Sequence, residues 1–338
     1  MVGFLSRRIL QSVPTLIGVS LVAFLLIRLI PGDPVLLMLG ERGGSPEAVA
    51  ELRSNLGLDQ PLYIQYFQFL TNAFRGDLGS SITSKEPVMR EFAQRFPATF
   101  ELSMVALIWA VLLGIPIGVL AAIRRRQWID NLLMSFSLVG YSMPIFWWGM
   151  ILILVFSVNL GWTPVSGRIS AAYDVEPWSG FLLVDVWVRG LGWGAFKEAL
   201  RHILLPALVL GTIPVAAIAR MTRSSLLEVL REDYVRTAKA KGLSFYQIIF
   251  VHALRNALIP VVTIVGLMLG TLLTGAVLTE TLFSWPGVGR WLVASVLARD
   301  YPVLQGGVLL LSLIIVLVNI AVDLVYTWLN PRLRGSLQ

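Results

Sequence analysis

The chain has 338 residues, of which 56% belong to the apolar set and only 14% are charged, and its mean hydropathy is +0.76. An ordinary soluble domain is roughly 45–50% apolar even with glycine counted, so charged residues are too few to cover a water-exposed surface and the expected solvent is a bilayer. The sequence contains no cysteine and only two histidines, His202 and His252, which excludes disulfides, thiolate nucleophiles, thiolate metal sites and a histidine-rich metal centre.

A helix needs ~20 mostly apolar residues to cross the ~30 Å hydrocarbon layer. The first stretch that qualifies, Ile9 to Ile30, follows Arg7 and Arg8. Its apolar run exceeds the roughly 7–15 residues of a cleavable signal, and Pro31 to Pro34 (PGDP) follows it in place of a small-residue cleavage site. A retained first span is expected. Residues 31–99 mix charges with turn residues (Gly43, Gly44, Ser45, Pro46) and carry two amphipathic helix candidates, Glu47 to Leu56 and Leu62 to Phe74. A segment of this size buries little core alone, so it is expected to pack on the membrane portion or on a partner.

The further spans expected are Leu102 to Ile123, Leu132 to Leu160, Ile203 to Ala219, Ala257 to Leu278 and Val303 to Leu329. The fourth of the six is the weakest, being short and carrying Pro206, Gly211 and Pro214. Phe181 to Val188 is too short to span and carries Asp185, so it reads as external loop. Ser142 and Pro144 lie inside the third span, where proline removes a helix hydrogen bond and kinks the chain; with Trp147 they are candidates for a pathway wall or for curved packing. Glu101, Arg28 and Asp323 sit toward span ends, where snorkelling to the interface is the expected arrangement. Rows of small residues recur at Gly114, Gly118 and Ala122, and at Gly266, Gly270 and Thr274. Such rows let helices approach closely in lipid; packing within the chain is expected, with a subunit seam left open for the second row.

Lys and Arg bookkeeping sets the orientation. Residues 1–8, 124–131, 220–256 and 330–338 together carry a net charge of +10, whereas 31–99, 158–200 and 280–303 carry −3. Both termini are therefore expected in the cytoplasm, and the overall +7 is a topology signal rather than a nucleic-acid surface.

The loop 220–256 is the most informative piece. From Ser224 the residues Leu226, Leu230, Tyr234 and Ala238 recur every four positions, while Arg231, Arg236, Lys239 and Lys241 supply charge, which predicts one amphipathic helix ending at Lys241. Gly242 suits the C′ position, and Ser244 with Gln247 has the form of a capping box that starts a second helix. Taken alone, this basic helix pair fits either an element lying on anionic lipid or a docking element for a cytoplasmic partner. A glycine corner joined directly to two spans could transmit a push, which a lipid anchor does not need. The sequence has no G-x-x-x-x-G-K-[ST] phosphate loop and no H-E-x-x-H, and its two histidines belong to different spans, so no hydrolytic site is expected in this chain.

Five stretches, in order among the six spans, carry a resemblance: Ile30 to Pro34 (IPGDP), Gly140 to Gly149 (GYSMPIFWWG), Arg236 to Leu243 (RTAKAKGL), His252 to Pro260 (HALRNALIP) and Phe283 to Arg290 (FSWPGVGR). With them the sequence resembles, over nearly its whole length, the inner-membrane permease subunits of peptide ABC importers of the dipeptide type. Importer permeases carry a cytoplasmic pattern E-A-A, three residues, G, nine residues, I-x-L-P, forming a coupling helix that seats in the ATPase subunit. Here Gly242 and Ala238 match the glycine and second alanine, Leu254 matches the leucine, and Arg236, Thr237, His252 and Arg255 replace the remaining letters.

The resemblance implies an all-α membrane protein of six transmembrane helices, organised as residues 1–30 (N-terminus and first span), an external scoop-like region 31–99 and a five-span domain 100–338 that includes the coupling loop 220–256. It implies a bacterial inner-membrane location, a second homologous permease, two P-loop ATPase subunits that hold ATP and Mg, an external peptide-binding protein and a peptide substrate, with membrane lipid around the spans. ATPase docking is assigned to Arg236, Thr237, Ala238, Lys239, Gly242 and Phe245, and the translocation pathway to Ser142, Pro144 and Trp147. The contrasting expectation is an ion-coupled transporter or channel acting without ATP. It would want a midplane site in repeated, broken-helix halves, and neither a second copy of the glycine-cornered loop nor a mid-membrane acid pair is visible.

Overall fold

The computed structural model describes residues 2–29, 45–55 and 59–329. Their regular structure is helical: α1 (Val2–Leu29), α2 (Pro46–Asn55), α3 (Leu62–Phe74), α4 (Val88–Ile123), α5 (Trp128–Ser142), α6 (Ile145–Leu152, continuing as π-helix over Ile153–Asn159), α7 (Leu182–Val188), α8 (Gly192–Val229), α9 (Asp233–Ala240), α10 (π-helical Gln247–Ala253 running into α-helical Leu254–Leu282), α11 (Val288–Leu297) and α12 (Tyr301–Leu329). Among the described residues, five helices are long and apolar enough to cross a membrane, or six with α5 and α6 taken as one broken span. The expected all-α, multi-span class is therefore present. The stretch Ile30 to Pro34 lies outside the described residues.

The chain divides into two compact units. In the first, residues 1–96 with 290–317, α1 meets α3 through a Ser20 to Tyr66 hydroxyl pair at 2.8 Å and an edge-on Phe24–Tyr66 contact. The buried Asp300 closes the loop before α4, accepting from Ser81 Oγ at 2.5 Å and from the Ile82 and Thr83 N–H groups at 3.1 Å. Glu91 accepts from Trp291 Nε1 at 2.9 Å, and the Arg95 guanidinium lies 5.3 Å from the centre of the same ring.

The second unit, 97–289 with 318–338, is built around α8. The fourth span, weakest by sequence, is a helix of 38 residues that keeps its course through Pro206 and Pro214. Its apolar window is 67% buried, against 6% for α12. The low apolarity that weakened it reflects its surroundings, since a helix enclosed by protein needs small residues for contact more than it needs oily ones for lipid. A Cβ at Gly118 would stand 2.5 Å from the Ala219 carbonyl oxygen, one at Gly114 would stand 2.8 Å from Ile218, and one at Gly211 would stand 2.9 Å from the Ala106 carbonyl oxygen. The first small-residue row thus packs within the chain, and in the second Gly266 and Gly270 of α10 are covered by Val322 and Asn319 of α12, whereas Thr274 is exposed.

The third span is not one helix. After Ser142 the backbone at Met143 and Pro144 turns extended, with ψ of 135° and 126°, and α5 and α6 diverge by 108°. At about 1.5 Å per residue neither half reaches across ~30 Å alone. Contacts along α8 nevertheless advance in one direction: Asp130 of α5 binds Arg223, Gly140 meets Thr212, Trp148 Nε1 donates to Thr212 Oγ1 at 3.1 Å, and Gly149 faces Val209.

Glu101 does not snorkel. It is buried and paired with Arg168, whose Nη2 lies 2.5 Å from its carboxylate, and it also accepts the Leu183 N–H at 2.9 Å. Arg168 donates further to the Gly180 carbonyl and lies 5.8 Å from the centre of the buried Trp285 ring. The loop segment around Phe181 forms the short α7, held by Asp185. Burial pushes the Asp185 carboxyl up, but donation from Ser179 Oγ and from the Ser179 and Gly180 N–H groups outweighs it and holds the group below its ordinary 3.8.

The α4–α8 contact is testable by side-chain volume. Gly118→Val has no room against the α8 backbone and is expected to lower stability by about 1–3 kcal/mol, the range for overpacking. Gly275→Ala, at a helical position with nothing within 4 Å, is expected to be neutral or stabilising by up to about 1 kcal/mol. Thermal unfolding in detergent should separate the two by sign; equal effects would mean that the close approach is not what holds these helices.

Candidate functional site

The loop between α8 and α10 folds into a helix, a corner and a second helix start. The single helix expected from Ser224 to Lys241 is interrupted. Val229 ends α8, Leu230 to Glu232 form a turn, and Glu232 is extended at ψ 148° before α9 begins at Asp233. The signal that competes with the four-residue periodicity is the acidic pair Glu232 and Asp233, which favours a fresh N-terminus by complementing the positive end of the helix dipole. Leu226 is therefore buried on α8 against α4 and α10, while Tyr234 stands exposed on the next helix.

At the other end of α9 the corner forms at the expected residue. Gly242 has φ +78°, a left-handed value that suits glycine. Its N–H donates to the Lys239 carbonyl at 3.0 Å and the Leu243 N–H to the Ala238 carbonyl at 3.3 Å. Those two bonds, with Leu243 packed near Ala238, make a Schellman motif that satisfies the last carbonyls of α9. The capping box follows, as Ser244 N–H donates to Gln247 Oε1 at 3.0 Å and Gln247 N–H to Ser244 Oγ at 3.4 Å.

Val235 and Ala238 turn inward against Ile248, Leu230 and Leu243. Ala238 thus seats the helix, and its neighbours present the outer face. Arg236, Thr237, Lys239 and Lys241 are exposed; Arg236 makes only an exposed pair with Asp233 at 3.3 Å, of small energetic weight, and Thr237 Oγ1 caps back to the Asp233 carbonyl. Beside them Phe245 is 57% exposed and Tyr246 stacks on Phe250 with ring centres 6.3 Å apart. A hydrogen bond from Asn256 Nδ2 to Tyr234 Oη, 2.8 Å long, ties α9 back to α10. Sequence reading missed that tie, although Asn256 lies inside one of the five family-like stretches.

The corner rests on a dense base. Val119, Ala122, Leu226, Ile249, Ala253 and Ala257 form one buried cluster from the ends of α4, α8 and α10. The surface above it is basic and aromatic, with Arg236, Lys239, Lys241, Phe245 and Tyr246 exposed.

The structure does not bring the pathway candidates to this corner. Ser142 and Pro144 sit at the α5–α6 bend, both exposed, with Ser142 Oγ bonded back to the Leu138 carbonyl, and Trp147 is 45% exposed one turn later. His202 is buried against the Gly167 carbonyl at 3.1 Å with Glu198 3.5 Å away, while His252 is exposed on α10.

Two family models cover almost all of the chain: residues 1–103 match the N-terminal part of the binding-protein-dependent transport system membrane component, and 114–335 match the inner membrane component itself. The chain is 57% identical to a di/tripeptide transport system permease protein of Pseudomonas aeruginosa, over 99% of both chains. It is 54% identical to a dipeptide transport system permease protein of Escherichia coli K12, again over 99% of both, and 42% identical to a glutathione transport system permease protein of Salmonella paratyphi A over the same shares. With several membrane-length helices and matches of this extent, the chain belongs to the inner membrane components of binding-protein-dependent transport systems.

Proposed function

We propose that the protein is one permease subunit of an ATP-driven importer that moves di- and tripeptides across the bacterial inner membrane by alternating access. The observation that carries the substrate class is the 57% identity, over 99% of both chains, to a di/tripeptide permease. The lower 42% identity to a glutathione permease favours plain short peptides. A second, homologous permease completes the pathway, an external binding protein delivers peptide, and two P-loop ATPases bind ATP and Mg and carry out its hydrolysis.

In this reading α9 is the coupling helix. Arg236, Thr237, Lys239 and Phe245 meet the ATPase surface, Ala238 seats them, and Gly242 sets the corner. ATP binding draws the ATPases together, α9 follows, and α8 and α10, fastened to it on both sides, reorient the pathway toward the binding protein; hydrolysis resets it. The exposed bend at Ser142, Pro144 and Trp147 is the part of this chain proposed to line the route. Both termini and the corner are assigned to the cytoplasm, a reading that the excess of Lys and Arg on that side supports.

Mild-detergent purification of the tagged chain is expected to recover a second multi-span permease and P-loop ATPases in fixed ratio; a chain that emerges alone or only with itself would favour the ATP-independent transporter. Single cysteines at Ser80 and Ser244, both exposed, are expected to react from outside and inside respectively with an impermeant thiol reagent, and the opposite pattern would invert the topology. Gly242→Val adds a Cβ that meets open space, so its cost is backbone strain of order 1–3 kcal/mol. The assembled Gly242→Val complex should hydrolyse ATP with little peptide uptake, whereas uptake at the normal rate would show that the corner geometry is dispensable.

A further inference from the structure

We infer that Asp130 and Arg223 form a positioning strut that carries the displacement of α9 into α5 and so to the α5–α6 bend. The inference rests on the coupling role proposed for α9 and assigns to this pair a part that the coupling loop does not contain.

Asp130 lies in the first turn of α5 and is 2% exposed. Both of its oxygens are occupied: Oδ1 accepts from Arg223 Nε at 2.7 Å, and Oδ2 accepts from Arg223 Nη2 at 2.8 Å and from the Arg126 N–H at 3.0 Å. The parallel guanidinium fork fixes angle as well as distance. The third bond secures the turn from α4 into α5, where Arg126 holds φ +63°, a strained value for a side chain of that size. One carboxylate therefore binds the α4–α5 turn, the start of α5 and the side of α8 into one piece.

Its position gives that piece a use. Arg223 lies six residues before the end of α8 at Val229, directly ahead of the turn into α9. The intervening Leu226 is fully buried among α4 and α10 side chains, so the last turns of α8 have little freedom to bend independently. From Asp130, α5 runs as an uninterrupted helix to Ser142 and the 108° break. A movement of α9 that shifts the end of α8 must either rupture the fork, leaving a buried carboxylate without its counter-charge, or carry the foot of α5 with it. The first is costly, so α5 follows and the angle at Met143 and Pro144 changes. Apolar packing alone would let α5 slide along α8; the fork prevents that slip.

The test uses the whole importer reconstituted in liposomes, with peptide uptake and ATP hydrolysis measured on the same preparation. Asp130→Asn keeps the shape but replaces the charged acceptor with a neutral amide. It is expected to assemble at the wild-type yield, to keep ATP hydrolysis within about twofold, and to lower peptide moved per ATP at least fivefold. Arg223→Lys keeps the charge without the fork and should show the same split in milder form, while Asp130→Arg combined with Arg223→Asp should recover part of the lost uptake. If uptake per ATP stays at wild type in Asp130→Asn and Arg223→Lys, or if uptake and hydrolysis fall together with the yield of complex, the strut is overturned and the pair only stabilises the fold. A wild-type complex without ATP-dependent uptake overturns the importer reading and the strut together, and it is recognised before any variant is compared.

Discussion

The backbone-to-backbone approach of α4 and α8 is the contact on which the second unit depends. In lipid, oily side chains gain nothing by leaving the solvent for one another, so helices are held by close packing and by polar bonds between them. Gly114 and Gly118 on α4, and Gly211 on α8, remove the side chains that would keep the axes apart, to the point where an added Cβ would stand under 3 Å from the opposite helix. Once those axes are fixed, the rest of α8 becomes a post with two defined ends. One holds His202 and the Glu101–Arg168 region, and the other holds Arg223 and the start of the loop into α9.

Polar groups confined to the ends of such a post have few choices. Glu101 and Arg168 are 67 residues apart in the chain, and Asp130 and Arg223 are 93 apart, yet in each pair a buried carboxylate meets a half-buried guanidinium and accepts a backbone N–H as well. A carboxylate so placed is far too costly to leave unpaired, so each pair fixes where two distant segments meet. The energy gained on balance is modest, since desolvation consumes much of the attraction; what the pairs contribute is register.

Those pairs mark the limit of what the sequence discloses. Features governed by neighbours in the chain were legible: α3 spans the expected Leu62 to Phe74, α2 begins one residue earlier than expected, its expected end Leu56 lying outside the described residues, and Gly242 and the Ser244–Gln247 box form as their residue types require. The helix break at Leu230 to Glu232 was local too, but the four-residue periodicity across it masked the acidic signal. Features governed by enclosure were not legible. Hydropathy undervalues α8 because a helix that touches protein on most sides does not need an oily surface, and it assigns Glu101 to the interface because it registers one charge and not the arginine waiting 67 residues later. Pro144 announced a kink, but its 108° follows from two consecutive extended residues and from α6 packing against Val209 and Leu282.

The loop between α8 and α10 shows why local and distant constraints have to coincide. A Schellman end and a capping box placed back to back leave four residues, Lys241 to Ser244, between two helical segments, and each of the bonds that define the corner is made within the loop. Such a corner would form wherever it was attached. Attached here, it stands on a buried cluster contributed by α4, α8 and α10 and is tied back by Tyr234 and Asn256. A flexible loop with the same outer residues could bind a partner equally well, but the partner's motion would be absorbed in the loop. Here the base is packed, and α9 is joined to α8 through the three-residue turn Leu230 to Glu232 and to α10 through the glycine corner, so both long helices lie within a few residues of its outer face.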